Sequence, residues 1–267
     1  MIASAAGADG ESVRNAFARV PRERFVAPGP WMVLAGDGYV ASPSDDPALL
    51  YDDIVVALLP GKRINNGQPT LHARCLAAVR VKPGENALHI GCGSGYYTAV
   101  ISELVGPSGA VDAWDIEPDL VAAASSNLQG RRGVTVALRD ATAGSIPAHD
   151  LIYVCAGCTH PVRAWAEALA DGGRLVFPLA PGWDRGAMLM VTRRGEDLDA
   201  RFICRCGFIP CVGASIPTEA SALRAAFARN DLDTVSSLHF GDAPAHGDPW
   251  LAGDGWWLAR KSTRPLH

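Results

Sequence analysis

The stretch ALHIGCGSGYYTAVISELV, residues 87–105, decides the fold. Its first four residues form a short apolar run that predicts a strand over 87–90, and YYTAVISELV predicts a helix over 96–105. Between them, Gly91, Gly93 and Gly95 make a glycine-rich turn. A turn that ends a strand and opens a helix lies at the crevice where open α/β sheets bind ligands. Glycine lets the backbone turn tightly and approach a ligand, and the first N–H groups of the helix favour an anionic group.

The same alternation continues along the chain. AVDAW (110–114), VTVAL (134–138), LIYVC (151–155) and RLVFPL (174–179) read as strands, and DLVAAASSNL (119–128) and PVRAWAEALA (161–170) as helices between them. Short apolar strands alternating with helices predict an α/β protein with a doubly wound, mostly parallel sheet. AMLMVTRR (187–194) and RFICRCGFI (201–209) have only a turn-like segment between them, which predicts an antiparallel hairpin at the sheet edge. Upstream, SVRNAFARVPRERFV (12–26) places Val13, Phe17 and Val20 at helical spacing until Pro21 interrupts it. Residues 27–69 read as irregular cover with one candidate strand in IVVALL (54–59), and a helix resumes at Pro69. Past Gly213, Thr218 is a candidate cap for a helix over 219–230, followed by strands in VSSLHF and WWLAR. Trp250, Trp256 and Trp257 are read as glue for this small C-terminal appendage, since large aromatics chiefly contribute burial. The expected organisation is 1–69 as N-terminal helix and cover, 70–213 as the ligand-binding domain and 214–267 as the appendage.

Composition narrows the function classes. With 267 residues, 48% hydrophobic and 19% charged, the chain reads as an ordinary globular protein, and a net charge of −4 gives no reason to expect nucleic acid. No segment approaches the roughly 20 apolar residues of a membrane span, so the expected address is the cytoplasm, with no membrane partner. Seven cysteines suit reduced thiols better than a disulfide framework. Cys155 and Cys158 with His160, and Cys204, Cys206 and Cys211, lack the paired spacing of a zinc motif and read as small apolar fillers, so no metal is expected.

A dinucleotide fingerprint would require a third glycine at position 96, where Tyr96 stands. The Gly-x-Gly-x-Gly spacing instead resembles that of S-adenosylmethionine methyltransferases. Asp115 ends the second strand, 20 residues after Gly95, where a carboxylate can accept hydrogen bonds from both ribose hydroxyls. Asp140, after the third strand, suits either the adenine amino group or a helix cap. The candidate cofactor site is therefore His89, Gly91, Cys92, Gly93, Ser94, Asp115 with its neighbour Ile116, and Asp140 with its neighbour Ala141.

Several further motifs extend the likeness over roughly residues 13–213. VPRERFV (20–26), YDD (51–53), GYYTA (95–99), DIEPDL (115–120), GGRLVFPL (172–179) and RFICRCGFIPCVG (201–213) occur in the order of the landmarks of the protein-L-isoaspartate O-methyltransferase family, which this chain resembles. The resemblance implies a Rossmann-like methyltransferase fold. It also implies transfer of a methyl group from S-adenosylmethionine to a carboxylate of a peptide, protein or small acid. A carboxylate is already ionised near neutral pH, so such a transfer needs no general base. An S-adenosylmethionine-binding protein that has lost catalysis is the alternative.

The chain departs from the family in two places. Where the family has a Ser-Gln-Pro segment whose hydroxyl faces the acceptor, this chain reads Gly67-Gln68-Pro69. The lost hydrogen bond to a charged group is worth about 1.5–3 kcal/mol. Asn66, Gly67 and Gln68 form the candidate acceptor loop. Asn65 or Asn66 could donate in place of the hydroxyl, or the pair could simply shape a turn. His72, one helical turn on, suits either the pocket or the core. The second departure is His89, which stands where the family has an acidic residue.

Overall fold

The computed structural model describes residues 1–8, 10–244 and 248–261. The chain divides into two compact units, Met1–Ala141 and Thr142–His267.

The first unit opens with two helices, α1 (Ile2–Ala6) and α2 (Glu11–Arg19). Val13, Ala16 and Phe17 form the buried face of α2, and the chain turns away at Pro21 as expected. Residues 27–69 are more regular than their composition suggests. They hold one hairpin, β1 (Met32–Ala35) with β2 (Gly38–Ala41), and a second, β3 (Ala57–Leu59) with β4 (Ile64–Asn65). The first was missed because its strands are largely exposed and show no apolar alternation. Helix α3 (Pro69–Val79) follows, with Pro69 in its first turn and Cys75, Leu76 and Val79 inward.

Next come β5 (Asn86–Ile90), α4 (Tyr96–Val105), β6 (Ala110–Asp115), α5 (Pro118–Asn127) and β7 (Val134–Leu138). β5 pairs parallel with β6, and β6 with β7. Parallel neighbours require a crossover, and α4 and α5 supply it. Burial of α4 is nearly complete, with Val100 and Ile101 facing the core and the Tyr96 and Tyr97 rings 6.2 and 6.3 Å from Phe17 of α2. Each such aliphatic side chain taken out of water contributes about 1.5–3 kcal/mol.

The second unit starts with β8 (His149–Val154), α6 (Arg163–Glu167) and β9 (Leu169–Leu179). β8 and β9 are parallel. The helix expected over 161–170 is thus half as long. His149 donates its backbone N–H to the Ala168 carbonyl and Leu169 pairs with His149, so the sheet ladder claims residues whose side chains would also suit a helix.

The expected hairpin is present as β10 (Gly186–Arg194) and β11 (Asp197–Cys206). After α7 (Ala220–Ala228), β12 (Val235–Phe240), β13 (Leu251–Gly253) and β14 (Trp256–Arg260) prolong the antiparallel run in the order β10-β11-β12-β14-β13. The appendage is therefore joined to the hairpin through its backbone. Trp250 is buried, 5.1 Å from the Phe202 ring and 5.5 Å from Phe227, so it does act as glue. Thr218 does not cap α7. It lies in a 3₁₀ turn, Pro217–Glu219, and Glu219 occupies the cap position with its carboxylate bonded to Thr159 and His160. Among the described residues, no helix is long and apolar enough to cross a membrane, and no group of three His, Cys, Asp or Glu is placed to hold a metal. Burial pushes up the thiols of Cys158 and Cys206, as for packed fillers.

Candidate functional site

The glycine turn leads from β5 into α4. Gly91, Gly93 and Gly95 all have positive φ, 73°, 57° and 95°, where an L side chain is strained. Space is a second reason at two of them. A Cβ on Gly95 would lie 2.9 Å from Leu128 Cδ1, and one on Gly93 would lie 3.1 Å from Leu58 Cδ1. The β3–β4 hairpin therefore overlies the turn. Its connecting 3₁₀ turn is latched as well, with Lys62 Nζ 2.5 Å from Glu117 Oε2.

Asp115 faces this turn from the end of β6. Its Oδ2 accepts from Gly93 N at 2.8 Å and its Oδ1 from Glu117 N at 3.0 Å. Burial raises the carboxyl, and the N–H groups of Gly93, Glu117 and Ile116 oppose that shift. With about two acceptor sites on each oxygen, the carboxylate still has capacity for a further donor, as a ribose hydroxyl would be. Ile116 leaves 42% of itself exposed beside a buried carboxylate, which suits an apolar ring face. Asp140 is exposed after β7 and Ala141 is buried.

Other candidates are occupied in ways the sequence did not reveal. Ser94 donates its hydroxyl to Phe25 O at 2.5 Å, and His89 is buried beneath the turn with Nδ1 2.8 Å from Thr98 Oγ1. Burial lowers His89 to about 3 and the Cys92 thiol is pushed up, so both are neutral. Burial, the His89 ring and Arg22 likewise hold His72 well below its usual range.

The candidate acceptor loop resolves the two asparagines. Asn65 shapes the turn, with Oδ1 accepting from Gly67 N at 3.0 Å and Nδ2 donating to the Tyr39 hydroxyl. Asn66 is different. Its Oδ1 accepts from Arg22 Nη2 at 3.0 Å and from Val56 N at 2.9 Å, and its Nδ2 is buried with no partner among the described residues. Two donors on one atom fix which end of the amide is oxygen.

Gly67 has φ 70°, and a Cβ there would meet His72 Nε2 at 2.4 Å. The His72 ring is stacked on Tyr97 at 3.7 Å, so His72 is core, wedged against Gly67. Gln68 donates to Asp53, which also accepts from Thr70 N and Thr70 Oγ1 and so ties the loop to the start of α3. Arg22, Asp53 and Leu58 had not been singled out. The signal was present for the first two, inside VPRERFV and YDD.

A family model described as protein-L-isoaspartate(D-aspartate) O-methyltransferase matches residues 4–215. The chain belongs to the protein-L-isoaspartate O-methyltransferase family. It is 35% identical over 208 residues to the protein-L-isoaspartate O-methyltransferase of Aeropyrum pernix, covering 75% of this chain and 72% of that one. Against protein-L-isoaspartate O-methyltransferase 1 of Rhodopseudomonas palustris it is 30% identical over 233 residues, 85% and 87% of the two chains. A structure from Plasmodium falciparum assigned to the same family, solved in complex with S-adenosyl-L-homocysteine, superposes with a TM-score of 0.62 at 18% identity. It covers 76% of this chain and 91% of that one, and it supports the doubly wound methyltransferase fold.

Within this O-methyltransferase family, the two departures now have structural settings. Gly67 is enforced by His72, and His89 is a neutral ring under the glycine turn. Both rings are neutral when folded and take up protons when unfolded, below the ordinary histidine value of 6.5. Their contribution to stability is therefore whole above that value and is lost as pH falls below it, for His89 toward about 3. We expect folding stability to drop by up to about 1.4 kcal/mol per pH unit for each ring between about pH 6.5 and 5.5. Urea denaturation across that range measures it, and His89→Gln should remove one ring's share of the slope.

Proposed function

We propose that this methyltransferase uses S-adenosylmethionine to methylate a carboxylate of a peptide or protein, and that it works in the cytoplasm, where cysteines not joined in disulfides persist as thiols. The observation that carries the reading is Asn66 Nδ2, a buried donor with no partner among the described residues, beside a glycine that cannot carry a hydroxyl. An unpaired buried donor is costly, and a carboxylate oxygen entering the loop would satisfy it.

In this reading, Asp115 holds the ribose, Ile116, Asp140 and Ala141 border the adenine, and the turn from Gly91 to Ser94, above His89, receives the rest of the cofactor. S-adenosylmethionine, when bound, supplies an electrophilic methyl group. The protein's part is to align and to exclude water. Leu58 and the Lys62–Glu117 latch cover the turn, Asn66 orients the acceptor, and Gln68 with Asp53 anchors the loop. No side chain is asked to remove a proton, because the acceptor is already an anion.

The relatives' names make the isoaspartyl carboxylate the first acceptor to test. Incubation with methyl-labelled S-adenosylmethionine and an isoaspartyl peptide should yield a base-labile methyl ester, and the matching aspartyl peptide should yield far less. Cofactor binding with no ester on isoaspartyl peptides, aspartyl peptides or small acids would instead support a binding protein without turnover.

A further inference from the structure

Arg22 is the first residue of a 3₁₀ turn, Arg22–Phe25, and is 1% exposed. Its Nη1 donates to Leu50 O at 2.7 Å and Asp52 O at 3.3 Å, and its Nη2 to Ile54 O at 2.7 Å, Gly67 O at 3.3 Å and Asn66 Oδ1. All five acceptors are neutral. Among the described residues no carboxylate forms an ion pair with it, and its Nε is buried with no partner. Asp53 feels the charge across space, but its oxygens are taken by Thr70 and Gln68. The other groups near it, His72 and the Tyr96 ring 5.9 Å away, are neutral.

A desolvated cation ringed by carbonyls is poorly compensated, and a buried charge is normally paired. Arg22 also holds Asn66 Oδ1, which turns Nδ2 away from itself. The cluster therefore offers an amide donor backed by a full positive charge. A group with acceptor-only oxygens and one negative charge matches it, which is a carboxylate and not a hydroxyl, amide or amine. Low dielectric strengthens that preference.

We infer that Arg22 is a positioning residue and the buried countercharge of the acceptor, reserving the Asn66 amide donor for ionised carboxylates. The inference rests on the carboxyl-methylating reading above. Esterification turns the anion into a neutral ester, so the same cation favours entry of the acid over retention of the product.

The test uses the full chain and three variants, Asn66→Asp, Arg22→Lys and Arg22→Met. For each, melting temperature, S-adenosylhomocysteine affinity, and KM and kcat with an isoaspartyl peptide are measured. Asn66→Asp supplies an internal carboxylate to Arg22, so its melting temperature should rise while KM increases by about tenfold or more and cofactor affinity stays unchanged. Arg22→Met should raise KM by about ten- to a hundredfold, and Arg22→Lys, which keeps the charge, should recover part of that loss. Should Arg22→Met fail to fold, the other two variants decide. A lower melting temperature and unchanged KM for Asn66→Asp would overturn the inference while leaving the methyltransferase reading intact. Wild-type protein that binds S-adenosylhomocysteine and esterifies no carboxylate would remove that reading and this inference with it.

Discussion

Asp115→Asn is expected to weaken S-adenosylhomocysteine binding by about ten- to a hundredfold at neutral pH. The wild-type carboxylate accepts from Gly93 N and Glu117 N and keeps capacity for a ribose hydroxyl. An amide keeps only one oxygen. Its NH₂ group would face either Gly93 N–H or Glu117 N–H, donor against donor, and one ribose hydroxyl would lose its charged acceptor. The hydrogen bond lost to a charged group is worth about 1.5–3 kcal/mol and sets the loss of affinity, whereas the N–H left facing the amide is unsatisfied with or without ligand and costs folding stability instead. Titration calorimetry reads the result directly. An unchanged dissociation constant would mean that the ligand does not sit at the end of β6. The wild-type affinity should also fall in acid, because burial has already moved the carboxyl upward and protonation removes its acceptor charge.

Gly67→Ser, the substitution that restores the family's hydroxyl, should destabilise the protein by about 2–5 kcal/mol and add no activity. Two costs combine. A left-handed conformation at φ 70° costs an L residue about 1–2 kcal/mol, and overpacking a filled site costs about 1–3 kcal/mol. The overpacking is hard to relieve. His72 Nε2, 2.4 Å from the added Cβ, belongs to a ring held by its stack on Tyr97 and by burial in α3. His72→Ala in the same chain should recover at least about 1 kcal/mol of the loss, and a double-mutant cycle on denaturation free energies measures that coupling. A serine variant as stable as the parent, or a better methyltransferase, would show that the loop is not locked by His72.

Asp115 and Gly67 differ in how far local sequence determines their surroundings. Asp115 could be picked from its spacing, because strand length, glycine turn and helix start are local matters that bring a residue at the end of β6 back beside Gly93. The role of Gly67 was half visible. Its lack of a hydroxyl is plain in the sequence, but the reason is His72 Nε2, and nothing in residues 67–72 says that the ring turns back against the glycine. Asn65 and Asn66 are equivalent on paper and become a turn residue and an orphan donor only when Val56 and Arg22 arrive at one amide oxygen.

The sequence by itself determined the alternation of strand and helix, the glycine turn, the carboxylate opposite it and the family, since each follows from periodicity, turn chemistry or ordered motifs. Tertiary structure alone decided that Arg22 lies buried against residues 50–67, that Leu58 covers Gly93, and that the C-terminal strands lengthen the hairpin. Those outcomes depend on contacts between residues tens of positions apart, where burial and the pairing of backbone groups choose among partners that local pattern leaves equal.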